Sequence, residues 1–334
     1  MSKKLVLVTG ATGQQGRGLV RALAGEPEFH VWALTRTISS PAAKELATTH
    51  SHVTIVQGDL DSPETIRKLF EDAKSEHGGI WGVFCVLAFP GLGADAAGEE
   101  KQGKTLADIS AEYDVASFIF SSVERGGEYN DENAKLDRRA KVLIERHIRG
   151  LGESKGLKWT ILRPGFFMEN YNYTIGKFTV GVLKTGLKET TTTQLVAAED
   201  IGNVAAAVFK NPQDYISQIL VIAGDELTTT QQQEAFTRAT GKQMPSIPWW
   251  GARILLALNS HTQAIIADIE RVHEARRNGK CPEVEEQMTL ARRAYPQMKM
   301  FEEWARQRGG GNNSSPEQKN WNQVSVGALV TGQQ

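Results

Sequence analysis

The opening rhythm of this chain limits what it can fold into. "KLVLVT" is a short apolar run, "GATGQQG" breaks it with glycines, and "GRGLVRALAG" resumes with helical spacing. Comparable apolar runs return at "HVWALT", "VTIVQGD", "WGVFCVL", "SFIFSS" and "KWTILR". Between the later ones lie segments with helical periodicity: "SPETIRKLFEDAKSEHG", "GEEKQGKTLADISAEY" and "AKLDRRAKVLIER". Ser62, Pro63 and Gly78 supply a cap, a first-turn residue and a stop for the first of these. Strands alternating with helices at this spacing build βαβ units on a parallel sheet. Right-handed crossovers make a doubly wound α/β sheet the expected architecture.

The rhythm loosens after Pro164. "GNVAAAVFKN" and "TTTQQQEAFTRATG" read as helices, with the strand "QILVIAG" between them. From Trp249 onward the pattern is mostly helical, with breaks at Gly279–Pro282 and Pro296. The expected organisation is a doubly wound domain over residues 1–163 and a smaller, mostly helical C-terminal lobe over 164–308. Some lobe elements return to the first sheet. A disordered tail rich in Gly, Asn, Gln and Ser is expected over 309–334.

A chain of 334 residues, 40% apolar, can bury a sizeable core without disulfides. A net charge of -1 offers no global attraction to nucleic acid or anionic membranes. The positive residues of "RVHEARRNGK" alternate with acids, as on a solvated helix face, so direct nucleic-acid binding is not expected. Cys85 and Cys281 provide neither a disulfide framework nor zinc spacing, and no metal is expected. No stretch has the ~20 apolar residues of a membrane helix, and the N-terminus lacks a signal-peptide core. A cytoplasmic location, with a nuclear one as a further option, is the expectation.

The glycine loop carries the first functional signal. Gly10, Gly13 and Gly16 stand three apart between the first strand and the first helix. This G-x-x-G-x-x-G spacing meets the needs of a dinucleotide loop: a sharp turn, a close backbone approach to pyrophosphate, and tight helix packing. The intervening Thr12, Gln14 and Gln15 are expected to join the glycines in binding the cofactor. The helix start offers unpaired N–H groups and a positive dipole end. At the end of the second strand an acid would bind the ribose of NAD, but the residue is Arg36, which suits the 2′-phosphate of NADP instead. NADP(H) is therefore expected in preference to NAD(H). Asp59 ends the third strand, where it can lie beside the adenine or cap the next helix. "GEEKQGKT", Gly98–Thr105, matches the phosphate-loop pattern letter for letter. It is set aside because it begins a helix well past its strand and carries Glu99 and Glu100.

Several stretches then occur in a telling order: "VTGATGQQG", "ALTR", "VQGDLDS", "KQGKTLADIS", "FIFSSVE", the helix bearing Lys141, "LRPGFFMENY" and "VAAEDIGNVAAAVF". Together, over roughly residues 3–305, the series resembles the NmrA-like family of atypical short-chain dehydrogenase/reductases. The resemblance implies a Rossmann domain that binds NADP(H). It implies that Leu87, Ala88, Lys141 and the segment Pro164, Gly165, Phe166 and Phe167 line the cofactor. Ser121, with Ser122 beside it, matches the family's serine place.

Active short-chain reductases also use a tyrosine four residues before the lysine, and here that residue is Asp137. An ionised aspartate is a poor proton donor. The expectation for Asp137 and Lys141 is an exposed i,i+4 ion pair, with Lys141 still holding the ribose. Tyr129, Tyr171 and Tyr173 are alternative tyrosines. Ser121, Lys141 and Tyr129 form the candidate catalytic set. Two readings follow: an NADP(H)-binding redox sensor or regulator with little turnover and a protein partner, which the missing tyrosine favours, and an NADPH-dependent oxidoreductase reducing a small apolar quinone, enone, aldehyde or imine.

Overall fold

The computed structural model describes residues 3–88 and 96–309. The expected tail lies outside the described residues from 310 on. In the first half, β1 (Lys4–Val8), α1 (Gln14–Leu23), β2 (Phe29–Thr35), α2 (Pro41–Thr49), β3 (Val53–Gln57), α3 (Pro63–His77), β4 (Gly82–Cys85), α4 (Ala97–Glu112), β5 (Ser117–Ser121), α5 (Leu136–Lys155) and β6 (Trp159–Pro164) follow in turn. The second half contains β7 (Phe166–Phe167), α6 (Tyr173–Gly186), β8 (Thr192–Val196), α7 (Ala198–Lys210), β9 (Gln218–Ile222), β10 (Asp225–Thr228), α8 (Thr229–Thr240), α9 (Trp249–Leu258), α10 (Ser260–Arg277), α11 (Glu283–Ala294) and α12 (Phe301–Gly309).

Seven strands form one sheet in the order β3-β2-β1-β4-β5-β6-β9, all parallel. Strand direction of progress reverses between β1 and β4, which opens a crevice at their carboxyl ends. Successive side chains alternate between the sheet's two faces. Leu5 and Leu7 join Leu34, Phe118 and Phe120 in a core that also holds Phe70, Leu106 and Ile144 from α3, α4 and α5. Val6 and Val8 join Phe84, Ile119 and Leu162 in the opposite core, with Leu19 and Leu23 of α1 and Ile201 and Val204 of α7. Because both faces are covered, these strands read as continuous apolar runs.

The strand "QILVIAG" does return to the main sheet, as β9 beside β6. The remaining lobe has a three-stranded sheet, β10-β8-β7, backed by a cluster of Met168, Leu195, Ala235, Phe301 and Trp304. Periodicity did not announce this small sheet, α2 or α6. "YTIGKFTVGVLKTG" carries three glycines and several β-branched residues, so its helix rests on packing against the lobe rather than on propensity.

Candidate functional site

A cleft of about 1120 Å³ runs along the carboxyl ends of the sheet and continues beneath the lobe. Its first part is built on the glycine loop. Gly10 has a φ of 58°, in the left-handed region, and a side chain there would press on the Val86 carbonyl oxygen. A Cβ on Gly16 would lie 2.4 Å from the Gly10 carbonyl oxygen, so only glycine lets the helix start this close to its strand. Gly13 begins α1 with no side-chain cap, leaving first-turn N–H groups for an anionic ligand. Thr9 Oγ lies 2.7 Å from both Val86 N and Val86 O, tying the ends of β1 and β4 together.

Gly10, Thr12, Gly13, Gln14, Gln15, Arg36, Asp59, Leu87, Ala88, Lys141, Pro164, Phe166 and Phe167 all line the cleft. Gly16 and Gly165 do not; both are close-approach positions, and a Cβ on Gly165 would lie 2.6 Å from the Gln194 carbonyl oxygen. Arg36 is exposed, and its guanidinium has no hydrogen bond or ion pair among the described residues. Thr35, Thr37 and Ser40 surround it in the cleft wall, with no carboxylate at the end of β2. Of the two roles open to Asp59, helix capping is not the one seen. Its carboxylate accepts the Asp61 N–H at 3.1 Å, and α3 begins after Ser62.

The two serines at the end of β5 differ in their partners. Ser121 donates to Gln15 Oε1 at 2.6 Å, linking β5 to the first turn of α1. Ser122 donates to Glu145, a carboxylate that also accepts from Arg125 and Arg163 at 2.8 and 2.6 Å. Burial alone would push the Glu145 carboxyl up; the Arg163 and Arg125 guanidiniums outweigh it and hold it at about 2. Ser122 is thus committed to a buried ionic network, while Ser121 faces the glycine loop.

Lys141 does not make the expected pair with Asp137. Its ammonium donates to Glu99 Oε1 at 2.5 Å, with the lysine side chain 16% exposed and the glutamate 2%. A buried carboxylate in low dielectric is the stronger attractor than a solvated one a turn away. Glu99 stands on the first turn of α4, inside the segment that mimics a phosphate loop and is helical throughout. Glu99 was legible in principle: it falls in line with Gly103, Leu106 and Ser110 on the helix's buried face. Asp137 still lines the cleft.

None of the three alternative tyrosines lines the cleft. Tyr129 is 55% exposed and its hydroxyl meets Lys280 Nζ at 2.9 Å. Tyr171 donates to Gln232 within the lobe, at 2.7 Å, and burial pushes its hydroxyl above its ordinary range. Tyr173 is exposed.

Beyond Lys141 the cleft opens into a chamber that sequence reasoning did not foresee. Ile175, Phe178, Val182 and Leu183 of α6, Leu255 of α9 and Ile265 of α10 form its walls with Phe166 and Phe167. Arg138, Asp268 and Arg271 are its polar rim.

With this geometry in place, comparison with known proteins is decisive about ancestry. The NmrA-like family pattern matches residues 2–305. This chain belongs to the NmrA-like family. A relative named an NmrA-like family domain-containing oxidoreductase, ptmS of Penicillium ochrochloron, is 30% identical over 274 residues, 75% of this chain and 78% of that protein. An NmrA-like family domain-containing protein of Dictyostelium discoideum is 28% identical over 256 residues, 73% of this chain and 80% of its own. Among solved structures, the negative transcriptional regulator NmrA in complex with NAD superposes with a TM-score of 0.68 at 21% identity, covering 92% of this chain and 95% of that one. The NADP complex of NmrA superposes at 0.65 with the same coverage and identity. The NmrA-like fold, a Rossmann-type sheet with a helical C-terminal region, is thereby established for this chain. Among its described residues no helix is long and apolar enough to cross a membrane.

Proposed function

We propose that this NmrA-like protein binds NADP(H), in preference to NAD(H), and reduces a small apolar acceptor held in the chamber beneath the lobe. The observation that carries this reading is the continuity of one cleft, from the uncapped start of α1, past Lys141, into an apolar compartment walled by α6, α9 and α10. The residues present fit the cofactor. The first turn of α1 suits a pyrophosphate, and the unpaired Arg36 guanidinium suits a 2′-phosphate. NADPH, when bound, supplies a hydride. Lys141, fixed by Glu99, orients the ribose and holds a proton at Nζ. Ser121 holds Gln15 against the loop. The lobe excludes water, and activated acceptors depend more on positioning than on a strong acid. Relatives named oxidoreductases support the reading.

A second reading is a redox sensor with a protein partner. It is favoured by Asp137 where a tyrosine would stand, and by the likeness to a transcriptional regulator. Calorimetric titration with NADPH, NADP⁺, NADH and NAD⁺, repeated with Arg36→Asp, tests both. NADPH is expected to bind about tenfold more tightly than NADH, with the preference lost in the variant. Equal affinities in the native protein would sink the NADP assignment. A large gap between oxidised and reduced forms, with no turnover of quinones, enones, aldehydes or imines, would favour the sensor.

A further inference from the structure

We propose that the chamber takes a ligand with a carboxylate at one end, and that Arg271 on α10 receives it. The proposal rests on the reading above, in which the chamber holds the acceptor, and gives that acceptor an apolar body with one charged end.

α10 turns one face to the cleft, with Ala264, Ile265 and Ala267 leading to Asp268 and Arg271. Its other acids face away. Glu270 accepts from Thr191 and from the Lys188 backbone, Glu274 accepts from Lys188, and His273 meets Thr192. Among the described residues Arg271 therefore has one partner, Asp268. Asp268 is itself shared, because its second oxygen accepts Arg138 Nε from α5, the opposite wall. Arg138 spends a further donor on the Glu124 carbonyl oxygen at 3.3 Å. Asp137 adds negative charge beside Arg138, on the α5 side.

The imbalance is one of donors. Two guanidiniums carry about five N–H groups each. Only three of their nitrogens are engaged, by one carboxylate and one carbonyl. More of the remaining donors are on Arg271, which has one engaged nitrogen against two on Arg138. A planar group with two acceptor oxygens and no donor answers this surplus; an amide or alcohol brings donors of its own. Asp268 holds Arg271 from i,i+3, so the fork is ordered before the ligand arrives. Burial, and then the charge of Arg138, lower the Arg271 guanidinium's pKa, and an arriving anion counters the charge of Arg138. Arg138 lies one helical turn from Lys141 on α5, so the anchor stands near the reacting end of the cleft.

The test uses 4-phenylbutanoate and its amide as probes, titrated calorimetrically into the full-length protein with and without saturating NADPH. The acid is expected to bind at least about tenfold more tightly than the amide. Arg271→Gln should bring the acid-to-amide ratio close to one. Arg271→Lys, which keeps the charge without the planar fork, should retain part of it. Asp268 keeps Arg138 as counter-ion in both variants, so neither leaves a bare carboxylate. Equal binding of the two probes, binding of neither at millimolar concentration, or an unchanged ratio in Arg271→Gln overturns the proposal. Failure of NADPH to bind the native protein overturns the cofactor reading instead, and the acid-to-amide ratio of the unloaded protein still decides this one.

Discussion

Lys141 and Glu99 show how much one buried pair can decide. The glutamate has almost no solvent contact, and its second oxygen has no partner among the described residues. Removing the cation alone leaves a carboxylate in the core without compensation, which typically costs about 3–5 kcal/mol. Lys141→Met should therefore destabilise the protein by that order in urea melts. Lys141→Met combined with Glu99→Gln should recover most of the loss. Strict additivity of the two single effects would show that the pair is not coupled. Glu99→Gln alone probes the proposed site, since a lysine released from Glu99 is free to swing away from the position proposed for the ribose.

At the scale of elements, α7 is tied to the segment before α12 through Lys299, whose N–H meets Asp200 and whose ammonium meets Glu199. Asp200 is buried, accepts the Lys299 N–H at 2.8 Å and meets Asn203 Nδ2 at 3.3 Å. Burial is the main reason its carboxyl is pushed up to about 6, from an ordinary 3.8. The folded state thus holds this proton more tightly than the unfolded chain. The contribution is complete below about pH 4 and is lost as pH rises through about 6, an effect on the order of 3 kcal/mol. His30, His50 and His52, whose pKa values burial lowers, run the opposite way in an overlapping window. The clean measurement is a difference. Asp200→Asn should gain stability relative to the native protein between pH 5 and pH 7. A pH-independent difference would mean that Asp200 is ionised throughout. Glu145 does not interfere, because its contribution fades only below about pH 4.5.

For the whole molecule, the cleft joins two bodies of structure: the sheet's carboxyl edge and the lobe of α6, α9 and α10. A ligand that bridges them stabilises the folded state by mass action. At about 100 times its dissociation constant, NADPH should add about 2.7 kcal/mol to the unfolding free energy. With Arg36→Asp at the same concentration, a tenfold weaker affinity should cut the gain to about 1.4 kcal/mol. An unchanged melt in the native protein would count against cofactor binding in this cleft.

The legible part of this protein was its local and periodic part. Apolar runs, glycine spacing and helix stops are written in neighbouring residues, because strand alternation, turn geometry and capping depend on a few adjacent positions. They led to the doubly wound sheet and to the glycine loop and Arg36 at its edge, while Ser121 and Lys141 entered through the family resemblance. What stayed hidden depends on contacts between distant segments. Lys141 could be located but not its partner, since Glu99 lies 42 residues earlier and reaches it only when α4 packs on α5. Tyr129 could be counted as a candidate, but its exposure and its contact with Lys280 could not be read from its neighbours. The apolar chamber is made by α6, whose glycine-rich sequence gives little helical signal, and by α10, which arrives from near the end of the fold. By itself the sequence determined the sheet and the loop at its edge, because local geometry governs both. Only the tertiary structure decided which charges are buried together and what the lobe encloses, because desolvation and cavity shape exist only once remote elements pack.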